Sequence, residues 1–107
     1  LLRGLCDVLG IATPITRSCD YELVPGKTDR LASLCEQAGA GAYLCGPASN
    51  AYLDREAFAA RGIQVEVADY TGYAEYPQLF GPFEHAVSVI DLLLNAGREA
   101  AQYLKAL

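Results

Sequence analysis

The sequence predicts an α/β fold: a mainly parallel small sheet flanked by helices, part of a larger α/β domain. Three observations carry this. Ile63-Gln64-Val65-Glu66-Val67 alternates strictly between apolar and polar residues, the period of a strand with one wet face near a sheet edge. Ala42-Tyr43-Leu44-Cys45 is a short, wholly apolar run, expected for a strand buried on both faces. Segments with helical stripes lie between and around these runs, and strands alternating with helices imply parallel pairing.

Taken in order, Leu1, Leu2, Leu5, Cys6 and Leu9 form an apolar helical stripe stopped by Gly10. Residues 14–18, rich in β-branched side chains, read as a short strand. Residues 19–26 are turn-rich and close on Pro25-Gly26. A helix is predicted over 28–38, with Thr28 as N-cap, Asp29 complementing the positive helix end, and Leu31, Leu34, Cys35 and Ala38 as its stripe. Gly39 and Gly41 stop it. Residues 50–61 read as one helix or two short pieces, with Asp54 as an internal N-cap and Gly62 as the stop. Residues 69–82 hold Tyr70, Tyr73, Tyr76, Pro77, Phe80 and Pro82. That is too rich in Pro and Gly for a helix and too aromatic for a solvated loop, so an ordered, packed loop is expected. The last long helix is predicted to start near Pro82 to Glu84, with Ala86, Val87, Ile90, Leu93 and Leu94 inward. Asn95-Ala96-Gly97 ends it, and a short helix over 99–106 follows.

A length of 107 residues bounds the chain to a single α/β domain, 1–107. Hydrophobic residues at 52% and charged residues at 20% suit a packed core and argue against disorder. Thirteen acidic against eight basic residues give a net charge of −5, which argues against nucleic acid and anionic membrane as partners. No apolar run approaches the ~18 residues of a membrane span. The chain lacks Met and opens inside a helical pattern, which reads as a piece of a longer protein. Cys6, Cys19, Cys35 and Cys45 are widely spaced with no C-x-x-C. That favours free thiols and a cytoplasmic location over disulfides or a zinc site. Cys19 stands apart among polar neighbours.

In parallel sheets, ligands gather beyond the carboxyl ends of the strands. Arg17-Ser18-Cys19-Asp20 and Gly46-Pro47-Ala48-Ser49-Asn50 follow the first two predicted strands. Ser49 and Asn50 suit either helix capping or contact with an anion or carbonyl, and Arg17 either a pair with Asp20 or a ligand. Lys27 opens the next helix near the same edge. These residues are expected to line one cleft with His85, the only histidine, at its rim. Ser88, Asp91 and Asn95 share a helix face and read as a satisfied polar network. There is no G-x-G-x-x-G, Walker A, G-x-S-x-G or H-E-x-x-H motif, so no metal is expected and the cofactor is left unknown.

Longer stretches carry more. Gly26-Lys27-Thr28-Asp29-Arg30-Leu31, Ala42 to Pro47, Tyr52-Leu53-Asp54 with Phe58, and Glu75-Tyr76-Pro77-Gln78-Leu79-Phe80-Gly81-Pro82-Phe83-Glu84-His85-Ala86-Val87 running on to Leu93 resemble the C-terminal part of the WbqC-like protein family. Cys45, in Cys45-Gly46-Pro47, and Cys19 stand where the family pattern usually has Ser. The resemblance implies an enzyme of bacterial surface polysaccharide (O-antigen) biosynthesis, with acyl or aminoacyl transfer to an amino sugar as one suggestion. Its substrate would be a nucleotide-linked sugar or an activated acyl group. On that reading Arg17 and Lys27 hold phosphate or carboxylate, Ser18, Gly46, Ser49 and Asn50 are further ligand contacts, and Tyr73 and Tyr76 stack on a sugar or base. Asp20, Glu84 and His85 then handle protons. The alternative is a non-catalytic binding or assembly module, homo-oligomers included, that uses the Tyr-rich segment 70–83 as its interface.

Overall fold

A computed structural model of the protein describes residues 1–105. The chain forms two compact units, one made of Thr16–Asp69 and the other of Leu1–Ile15 together with the chain from Tyr70 onward. Among the described residues no helix is long and apolar enough to cross a membrane.

The Thr16–Asp69 unit holds the sheet. Strands β1 (Ala42–Cys45) and β2 (Gln64–Val67) pair in parallel, with Ala42 opposite Gln64 and Cys45 opposite Val67. Parallel pairing needs a long crossover, and the connection carries two short helices, Pro47–Asn50 and Arg55–Ala59. The second of these packs against the long helix Thr28–Gln37. Their core is Ala32, Phe58 and Ile63, with Leu31, Cys35, Tyr43, Leu53 and Val65 around it. The Tyr43 and Phe58 rings stack at 4.8 Å. Local chemistry sets the element ends. Asp54 accepts a hydrogen bond from the Glu56 amide at 3.0 Å, as an N-cap should. Gly39 and Gly62 adopt the left-handed conformation. The Ala40 and Ile63 amides after them donate back to the Cys35 and Phe58 carbonyls.

Several expectations are corrected in this unit. Residues 14–18 form no strand; Ser18–Asp20 is a 3-10 turn instead. β-Branched content favours extended backbone, but a strand exists only where a partner completes its ladder. β1 is not buried on both faces, since Leu44 is 46% exposed. Tyr43 packs on the unit's core and Cys45 is buried, whereas Ala42 and Leu44 are exposed. Thr28 is not the cap: Lys27 holds that position without a side-chain bond, and the Thr28 hydroxyl accepts from the Asp54 amide at 3.5 Å.

The other unit is helical. Helix α1 (Leu2–Leu9) ends on left-handed Gly10. Helix Val89–Ala96 is followed by a 3-10 helix, Gly97–Tyr103. Tyr76, Leu92 and Ala100 form the core, joined by Leu9, Phe83, Val89, Leu93, Ala96 and Tyr103. The Val89–Ala96 helix starts later than Pro82 to Glu84, because Ser88 caps it: its hydroxyl accepts from the Ile90 amide at 3.1 Å. The inward stripe shifts with it. Val89, Leu92, Leu93 and Ala96 face the core, whereas Leu94 is 82% exposed and Ala86, Val87 and Ile90 are exposed as well. The terminal segment is 3-10 rather than α-helix, and residue 106 of the expected 99–106 helix lies outside the described residues.

Candidate functional site

The loop between Tyr70 and Ser88 has no regular ladder, so side chains must satisfy its backbone. The Gln78 side-chain amide does part of this. Its oxygen accepts from the Glu84 amide at 2.8 Å and its nitrogen donates to the Glu84 carbonyl at 3.0 Å. One side chain thus pairs with both backbone groups of a residue, as a strand edge would. The Gln78 nitrogen also lies 3.1 Å from Asp91 Oδ2. The Tyr76 hydroxyl donates to that oxygen at 2.6 Å. Asn95 ties in the other end, accepting from the Leu79 amide at 3.1 Å and donating to the Asp91 carbonyl at 2.9 Å. The polar face expected of Asp91 and Asn95 is therefore a satisfied network, with Tyr76 and Gln78 in it. Ser88 caps the helix instead.

This bracing shapes a cleft of about 490 Å³. Tyr70, Tyr73, Tyr76, Phe83, His85 and Tyr103 line it, together with Ser88, Val89 and Leu92. Tyr76 is only 9% exposed and forms the floor. Phe83 and Tyr103 meet its ring edge-on at 5.1 and 5.8 Å. His85 in turn meets Phe83 edge-on at 4.6 Å. Burial pushes the Tyr76 hydroxyl pKa up, and the bond to Asp91 pushes it further. Tyr76 is thus held protonated and committed, whereas Tyr73 is half-buried and His85 exposed at the cleft.

Glu84, expected beside His85 as a proton carrier, turns its carboxylate onto the Ala86 amide at 2.7 Å. It lines a neighbouring groove with Leu79, Phe80 and Leu94 rather than the aromatic cleft.

The remaining candidates lie in the Thr16–Asp69 unit. Asp20 Oδ2 accepts from the Arg17 amide at 2.9 Å and so closes its own turn. Arg17, Ser18 and Lys27 are exposed. Ser49 accepts from the Tyr52 hydroxyl at 3.2 Å, and Asn50 from Arg55 at 2.6 Å. Gly46 precedes the Pro47–Asn50 helix, its carbonyl accepting from the Ser49 amide at 3.1 Å. Among the described residues no hydrogen bond joins 17–20 to 46–50. With 14–18 not a strand, the topological argument for placing them together loses its premise.

Sequence reasoning marked Tyr73, Tyr76 and His85 but not Tyr103, which no motif or spacing links to the loop. Gln78 was equally silent, because its role depends on where Glu84 and Asp91 fall in space. Among the described residues no group of three or more His, Cys, Asp or Glu could hold a metal ion. The four cysteines are free thiols, Cys45 buried and Cys19 exposed.

Comparison with known proteins adds two matches. The model of the WbqC-like protein family matches residues 1–103, further than the motif-bearing stretches between Gly26 and Leu93. An uncharacterized protein of Mycobacterium tuberculosis, Rv1507c, is 50% identical over 105 residues, covering 98% of this chain and 46% of the relative. The chain thus spans about half the length of the curated relative it matches. No solved structure matches it.

Proposed function

The chain belongs to the WbqC-like protein family, and from that premise we propose that it serves the synthesis of bacterial surface polysaccharide, with the aromatic cleft holding a sugar-bearing substrate. The observation that carries this is the convergence of tyrosine rings, His85 and Ser88 on one cleft. Ligand pockets combine apolar and aromatic walls with a few placed polar groups. Tyr73 supplies a half-exposed ring for the apolar face of a sugar, and Tyr76 holds the floor in place. His85 is the group at the cleft suited to move a proton to or from a sugar hydroxyl or amine. Acyl or aminoacyl transfer to an amino sugar is the reaction we assign. By itself, the Thr16–Asp69 unit offers exposed Arg17 and Lys27 to a phosphate or carboxylate, with Ser18, Gly46, Ser49 and Asn50 as further contacts. Asp20 and Glu84, whose carboxylates already bind backbone amides, are turn-formers that support the loops carrying Arg17 and His85.

The test is Tyr73→Ala and His85→Ala, separately, in the full chain. Binding of nucleotide-linked sugars should weaken about tenfold for Tyr73→Ala, equivalent to ~1.4 kcal/mol. For His85→Ala, product formation should fall more than binding. If both variants bind and turn over like the parent at unchanged stability, the cleft is not the site. A second reading rests on Leu79 and Phe80, 78% and 83% exposed in the 70–83 segment: a protein-binding face. Loss of a partner on Phe80→Ala with intact sugar binding would favour it.

A further inference from the structure

We propose that the aromatic cleft accepts an uncharged ring, a glycosyl residue without phosphate or carboxylate in contact, and leaves the anionic part of any donor outside. This rests on the reading of the cleft as a sugar site and narrows it to a ligand class. Among the described residues the lining holds no Lys, Arg, Asp or Glu, and His85 is its one nitrogen-bearing side chain. A phosphate enclosed by tyrosine and phenylalanine rings would lose its hydration with no compensating cation. The net charge of the chain, −5, adds a small penalty of the same sign.

The start of the Val89–Ala96 helix lies at the cleft, and a helix N-terminus attracts anions. Two amides of its first turn are already taken. Ser88 receives the Ile90 amide on its hydroxyl at 3.1 Å and the Asp91 amide on its carbonyl at 2.9 Å. Asp91 places a carboxylate in the first turn, where it complements the positive helix end and repels a second anion. What remains suits a pyranose: ring faces for its C–H surface, and the His85 and Ser88 polar atoms for its hydroxyls.

The chain has one histidine, so the proton on its imidazole Cε1 gives one unambiguous resonance at the cleft. That signal is followed in the full chain during titration with methyl glycosides of glucose, galactose and their N-acetylamino forms, then with uridine diphosphate and inorganic phosphate, at low and high salt. At least one glycoside should shift it saturably, with an affinity that salt leaves unchanged and that falls about tenfold in Tyr73→Ala. Neither anion should compete. If uridine diphosphate shifts the signal, weakens with salt and displaces the glycoside, the uncharged-ring inference is overturned while the sugar-site reading stands. If no glycoside and no anion shifts it, the sugar-site reading falls, and this inference with it.

Discussion

Replacing Tyr76 by Phe removes one oxygen and tests the bracing of the cleft. The parent hydroxyl lies 2.6 Å from Asp91 Oδ2. A hydrogen bond to a charged acceptor contributes ~1.5–3 kcal/mol. Asp91 is only half-buried and keeps its Gln78 contact, so the lower end applies: about 1.5 kcal/mol at neutral pH. For a chain of this size that is a fall in Tm of about 6–12 °C. The pH dependence carries the sharper signature. The folded-state pKa of Tyr76 is raised, by burial first and by the Asp91 bond second. A raised pKa means that its contribution is complete below the unfolded value, ~10. It is lost as pH rises through the folded value. Urea denaturation of both proteins from pH 7 to alkaline pH should therefore show a constant gap up to about 10, then a narrowing one, because the parent alone ionises at position 76. A gap below ~0.5 kcal/mol at neutral pH, or one that stays level into the alkaline range, would refute the reasoning.

In the Thr16–Asp69 unit, Phe58→Ala should cost ~3–5 kcal/mol in urea denaturation, since the ring is fully buried and stacked on Tyr43. Asp54→Ala removes the acceptor of the Glu56 amide and should cost ~0.5–2 kcal/mol; Asp54→Asn, which keeps an acceptor, should recover most of it. Phe80→Ala should change stability by no more than ~0.5 kcal/mol, because the ring is exposed; a larger loss by thermal melting would mean that Phe80 packs on something.

Features whose causes lie within a few residues were legible in the chain. The alternation of 63–67 and the apolar run 42–45 marked both strands, and the helical segments between them implied the parallel pairing that is present. Asp54 as cap and Gly10, Gly39 and Gly62 as stops followed from side-chain reach and backbone freedom alone. Where a local signal competed with a distant one, it failed. Residues 14–18 have strand-forming side chains but no ladder partner. Glu84 sits where a helix could begin, yet both its backbone groups are taken by Gln78, and the helix waits for Ser88.

The candidate site divides in the same way. Composition alone drew attention to the Tyr-rich loop and to the single histidine. That Tyr76 is the floor, that Tyr103 arrives beside it from the far end of the unit, and that Tyr73 and His85 stay open was decided by packing. The hydrogen-bond network on Asp91 joins residues 13 and 15 positions apart, beyond the i,i+4 reach that helical spacing can reveal. Side-chain identity determined which groups could brace a loop; only the folded chain determined which backbone atoms they would find.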